Sequence, residues 1–167
     1  YRIEHIVAGE SWEPSERSPL SRAGVRAKEG DILLSINGRR CRRAVGVQEQ
    51  LVNLAGEEIE IEVGRIDDDE IETYTVKTLS SEFDARYREW VVDNRRRVHE
   101  ATEGEVGYLH IPDMAPRGYS EFHRSYLAEN ARKALIIDVR YNGGGHVSQL
   151  ILEKLARQRL GYDIQRW

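Results

Sequence analysis

The chain has 167 residues, 40% of them hydrophobic and 32% charged, which is enough for one ordinary domain or two small ones and too apolar for disorder. Its formal net charge of -4 argues against nucleic acid as the main partner, and the single Cys41 rules out an intrachain disulfide framework and suits a reducing compartment. No run reaches the length of a transmembrane helix and no basic segment leads an apolar stretch, so neither a membrane nor export is expected. From the abrupt opening inside a strand-like run and the stop at Trp167, a segment of something longer is expected.

In chain order, the first region runs to about residue 78 and alternates short β signals with one helix. Tyr1 to Val7 is a strand candidate, followed by a polar loop to Arg17. Ser18 to Val25 reads as one helical turn, with Ser18 as its cap, Pro19 at the first position and Gly24 as the stop. Gly30 to Gly38 is a strand that ends in an Asn-Gly turn. Val45 to Leu54 keeps a helical period and Gly56 ends it. Glu58 to Val63 alternates Glu with Ile or Val, which gives one wet and one dry face. Asp67-Asp68-Asp69-Glu70 is then the charged tip of a hairpin returning through Ile71 to Thr78. Those acids lack the glycine and terminal glutamate of a calcium loop and read as a solvated turn.

The order of a Ser-Pro-x-x-x-Ala-Gly turn, a Gly-Asp-Ile-Leu strand ending in Ile-Asn-Gly, a helix and a closing hairpin resembles a PDZ domain of the bacterial, protease-associated kind. The resemblance implies a PDZ-like β-sandwich or barrel over residues 1–79. In that family an extended peptide adds a strand to a sheet edge. The first strand and the carboxylate-binding loop of such a groove are expected to precede Tyr1.

The second region, 80–167, reads helix, strand, helix, strand, helix. Ser80 or Ser81 caps a helix whose face carries Phe83, Tyr87, Trp90, Val91, Asn94 and Val98. Arg95, Arg96 and Arg97 within it point in different directions and read as a solvated helix end. Glu105 to Ile111 is a strand stopped by Pro112, and Tyr119, Phe122, Tyr126 and Leu127 mark a second helix. Ala134 to Val139 is a strand whose unbroken apolar run predicts cover on both faces. Strands alternating with crossover helices imply a parallel βαβ unit, whose functional groups gather at the carboxyl ends of the strands. His110, Asp113, Met114, Asn142 and the triple glycine Gly143-Gly144-Gly145 fall there. Glycines between a strand and a helix let backbone N–H groups approach an anion or a developing oxyanion. On spacing alone the run fits a plain strand-to-helix turn as well as an anion site, since it matches neither the dinucleotide nor the phosphate-loop pattern.

The second region resembles the start of the catalytic domain of the tricorn-type serine peptidases, in the C-terminal processing peptidase family. Arg88 to Glu100, Gly107 to Met114, Ile137 to Lys154 and Gly161-Tyr162-Asp163 carry the likeness. The fold expected overall is α+β, a PDZ-like unit followed by an incomplete α/β catalytic subdomain with a parallel sheet. The resemblance implies a cytoplasmic endopeptidase acting on oligopeptides, working without a cofactor and assembled as a homo-oligomer, a hexamer in the family. It places Gly145 in the oxyanion hole, with Gly144 beside it in the turn, and Asp163 in a specificity pocket that favours basic side chains. The nucleophilic serine and the upstream Ser-His pair are expected outside this chain.

His146 and Ser148 diverge in the first helical turn and do not read as a dyad. The five histidines lack zinc spacing, so no metal is expected. The alternative reading is a non-catalytic PDZ-type module that binds or docks peptides. Turnover by the isolated chain is not expected.

Overall fold

The computed structural model describes residues 1–9, 17–65 and 70–157. Its packing divides into two units, Tyr1–Trp90 and Val91–Trp167. The fold is α+β, an open antiparallel sheet in the first unit and a two-stranded parallel sheet with helices in the second.

In the first unit β1 (Ile32–Ile36), β2 (Arg39–Arg40), β3 (Glu58–Gly64) and β4 (Ile71–Lys77) lie in the order β2-β1-β3-β4, each pair antiparallel. No barrel closes among the described residues. The alternation in β3 does what its period dictates. Ile59, Ile61 and Val63 are buried and face the core while Glu58 and Glu60 stay in water. Opposite them, Val76 and Tyr74 pair with Ile59 and Ile61 and are buried as well. Leu20, Val25, Val47, Leu51 and Leu54 pack on this face, and each fully buried aliphatic side chain contributes about 1.5–3 kcal/mol. The β1–β2 hairpin turns through Asn37 and Gly38 at φ +48° and +71°, the two left-handed residues that a type I′ turn requires. Ser18 caps the 3₁₀ turn Pro19–Ser21 as expected, its hydroxyl accepting from the Leu20 N–H at 3.3 Å.

Two expectations for this unit change. The strand expected over Tyr1 to Val7 reduces to one bridge, Arg2 with Ile32, with the Ile3 N–H still donating to Asp31 O at 2.8 Å, because amides farther along find side chains instead. The Ile6 N–H donates to Glu29 Oε1 and the Ala8 N–H to Glu89 Oε1. The helix expected over Val45 to Leu54 is only α1 (Val47–Gln50). Past it the bonds tighten to three-residue spacing, from Val52 to Glu49 and from Leu54 to Leu51, and Asn53 turns left-handed at φ +61°. Val52 is left exposed.

Helix α2 (Phe83–Ala101) begins at Ser81, whose Oγ accepts from the Phe83 N–H at 3.1 Å. The division between the units falls inside it. Beyond it, β5 (Val106–His110) and β6 (Ala134–Asp138) pair in parallel from Val106–Ala134 to His110–Asp138. Helix α3 (Pro116–Glu129) crosses between them and α4 (Ser148–Ala156) follows. Leu109, Ile111, Phe122 and Ile151 form the second core, with Leu135 and Ile137 packed against it. The Phe122 ring stacks on Tyr126 at 5.1 Å. Glu129 ties the end of α3 to its surroundings, accepting from Arg132 and bonding His99, both at 2.8 Å.

The cover expected on both faces of β6 is not found. Leu135 and Ile137 face the core, whereas Ile136 and Val139 are 44% and 50% exposed. These two line an open cleft of about 520 Å³ together with Asn94, Arg97, Val98 and Tyr108.

Candidate functional site

The carboxyl ends of β5 and β6 converge, and the chain beyond each is stitched to the other. The Ile111 N–H donates to Asp138 O, the Gly143 N–H to Pro112 O, the Met114 N–H to Gly144 O and the Val147 N–H to Met114 O, all at 2.8–2.9 Å. Met114 and Gly145 form a parallel bridge. The parallel pairing of the sheet thus continues past Pro112 into the glycine run, and α4 starts three residues after Gly145.

Gly145 adopts φ +139° and lies hard against the neighbouring strand. A Cβ there would stand 2.1 Å from Met114 O, so the position is closed to any side chain. Among the described residues no acceptor takes the Gly145 N–H. Gly144, at φ +80°, has its N–H engaged by Asn142 Oδ1 at 2.7 Å. Asn142 Nδ2 in turn donates to Ile111 O at 2.9 Å. Beside the turn, Asp113 Oδ1 accepts from the Ala115 and Gly118 N–H groups at 2.8 Å and so caps α3.

A charge network around the buried Asp138 holds the strand end from which this turn departs. Asp138, 7% exposed, accepts from the Arg140 guanidinium and from the Tyr108 hydroxyl, the latter at 2.6 Å. Hydrogen bonding from Arg140 holds the Asp138 carboxyl well below the usual carboxylate range, against the opposing effect of burial. Burial, and then the bond to Asp138, pushes the Tyr108 phenol far up. His110 Nε2 lies 2.7 Å from Arg140 O. A carbonyl only accepts, so that nitrogen carries the proton.

The structure therefore gathers Gly143, Gly144, Gly145, His110, Asp113, Met114 and Asn142 at one place. Asp163 and the Gly161-Tyr162 pair lie outside the described residues, as do the acids Asp67, Asp68 and Asp69. No hydrogen bond joins His146 to Ser148 among the described residues. What sequence reasoning missed is the part played by Asn142. The signal for it was its place two residues before a glycine, where an Asn side chain bonds the backbone ahead of it.

The first unit has a cavity of about 460 Å³ lined mostly by apolar groups, among them Ile3, Leu20, Leu33, Val47, Leu51 and Leu54. Among the described residues no group of three His, Cys, Asp or Glu is placed to hold a metal ion. No described helix is long and apolar enough to cross a membrane.

Against known proteins, residues 1–81 match the family described as the tricorn protease PDZ domain, and residues 105–166 match peptidase family S41. The chain is 40% identical over 166 residues to tricorn protease homolog 1 of Streptomyces coelicolor. It is 41% identical over the same length to the tricorn protease of Thermoplasma volcanium. Each alignment covers 99% of this chain and 16% of the relative. The crystal structure of the tricorn protease superposes with a TM-score of 0.89 at 36% identity, over 100% of this chain and 16% of that one. The chain thus spans about a sixth of the length of the relatives it matches.

Proposed function

The chain belongs to the tricorn protease family within the S41 serine peptidases, and on that premise we propose that it supplies oxyanion-hole and specificity elements to a cytoplasmic endopeptidase that degrades oligopeptides. Residues 1–79 are then its PDZ part and 80–167 the opening of its second catalytic subdomain. The observation that carries the reading is Gly145, whose N–H is unclaimed by any described acceptor and whose backbone is fixed by the bridge to Met114. A donor that is already oriented stabilises the charge developing on a scissile carbonyl without reorganising at the moment of reaction. Gly144 serves the turn instead, since its N–H is spent on Asn142. Asp163 is assigned the recognition of Lys or Arg by charge pairing. The nucleophilic serine and its base come from other parts of the full-length protein, which works as a homo-oligomer, a hexamer on the family pattern.

The test is hydrolysis of fluorogenic peptides with Arg or Lys before the cleaved bond. The full-length protein is expected to turn them over, and Asp163→Ala to weaken the basic preference while sparing apolar substrates. A full-length protein that cleaves none of these peptides overturns the reading. The apolar cavity of the first unit favours a second role, holding an extended peptide. Titration of the chain with apolar-ended peptides, followed by chemical shifts of Leu33, Val47 and Leu51, measures it.

A further inference from the structure

We propose that Asn142 is a positioning residue that fixes the direction of the Gly145 N–H; the inference rests on the role given to Gly145 above. The Gly145 N–H and the Gly144 carbonyl belong to one planar peptide group, and in a trans peptide they point in opposite directions. Met114 holds that carbonyl from one side at 2.8 Å, so the N–H is turned to the other side. This fixes one end of a very pliable stretch, and the Gly143 N–H on Pro112 O at 2.9 Å holds its start, with the peptide group between Gly143 and Gly144 left over. Three successive glycines have more backbone freedom than any other tripeptide, and a donor that swings contributes little to a transition state.

Asn142 fixes that remaining peptide group. Its amide makes two hydrogen bonds in opposite senses, accepting from the Gly144 N–H at 2.7 Å and donating to Ile111 O at 2.9 Å. The peptide group before Gly144 is thereby tied to the end of β5, and the peptide group after it is tied to Met114. Only the two torsions of Gly144 lie between these anchors. Among the described residues no other side chain hydrogen-bonds to Gly143, Gly144 or Gly145. Asn is matched to this task because it offers a donor and an acceptor on one short planar group. An aspartate carboxylate would keep the bond to Gly144 but set negative charge against Ile111 O.

The experiment uses the full-length protein and a fluorogenic peptide with Arg before the cleaved bond. Asn142→Ala is expected to lower kcat roughly 10- to 100-fold with KM near wild type, less than the loss of a direct oxyanion donor. Affinity for a peptide aldehyde, which binds as a tetrahedral adduct, should fall by a similar factor, while affinity for a product peptide stays unchanged. Asn142→Asp gives the second readout. A protonated carboxyl regains the donor to Ile111 O, so the ratio of variant to wild-type kcat should rise as the pH falls, whereas the Asn142→Ala ratio stays flat. Asn142→Ala with wild-type kcat, or variants whose losses follow their unfolding temperatures with no pH dependence of the Asp ratio, overturn the inference. A wild type that cleaves no peptide at all overturns the proposed function, and the inference with it.

Discussion

Gly145 is a residue whose role its own substitution cannot isolate. A Cβ placed 2.1 Å from Met114 O forces the backbone apart, and φ +139° is strained for any L side chain. Gly145→Ala and Gly145→Val are both expected to lower the stability of the second unit by about 2 kcal/mol or more, read by thermal unfolding. Gly144→Ala meets only the conformational penalty of a positive φ, since open space surrounds it, and should cost about 1–2 kcal/mol. Asp138 gives a test through pH. Its carboxyl is held below the usual range in the folded state, so its stabilisation is present above the ordinary Asp pKa and fades as the pH falls through and below that range. Asp138→Asn is accordingly expected to cost roughly 1–2 kcal/mol near neutrality, a modest figure because Arg140 is open to solvent. The difference from wild type should vanish in acid, as pH-dependent urea unfolding would record. His5 has the opposite sign. Hydrogen bonds that its ring donates to Glu89 first and Glu29 second raise its pKa, so the contact is at full strength below the ordinary His pKa and is lost as the pH rises through the raised value. Amide exchange at Ile6 and Ala8 should therefore quicken, beyond the intrinsic effect of base, as His5 deprotonates.

Among the elements, those whose signal is local were readable from sequence. The Asn37-Gly38 turn, the caps at Ser18 and Ser81 and the Glu/Ile alternation of β3 each follow from a few adjacent residues, and each is present. α1 was overextended because Leu51, Val52 and Leu54 keep an approximate helical period while their backbone has already tightened. β6 misled for a different reason. An apolar run records how much apolar surface a strand carries and not what lies over it, and Ile136 and Val139 border an open cleft. The site was half legible in the same way. Glycines after a strand announced the turn, but the pairing of Met114 with Gly145 joins residues far apart in sequence and leaves no local mark. The cores make the element-level prediction. Phe122, fully buried between α3 and β5, should cost about 3–5 kcal/mol when replaced by Ala, whereas Leu127→Ala on the exposed side of the same helix should stay within about 0.5 kcal/mol.

For the whole molecule, β5 and β6 pair only with each other among the described strands, and each leaves an outer edge without a partner strand. Such edges, together with the exposed Ile136 and Val139, favour pairing between copies. The isolated chain is expected to self-associate with rising concentration in sedimentation velocity, and to show no hydrolysis of fluorogenic peptides at any concentration. A strictly monomeric chain at high concentration would count against the open edges. With one core in each unit, unfolding need not be a single step, and the buried phenol of Tyr108 offers a way to see the second step by itself. Ionised tyrosine absorbs at longer wavelength than the neutral form, and Tyr108, buried and hydrogen-bonded to the Asp138 carboxylate, should ionise only in strong alkali. An ultraviolet titration then has a late component that belongs to the β5–β6 pair, and its early appearance in any variant would mark the opening of that sheet without a label or an added probe.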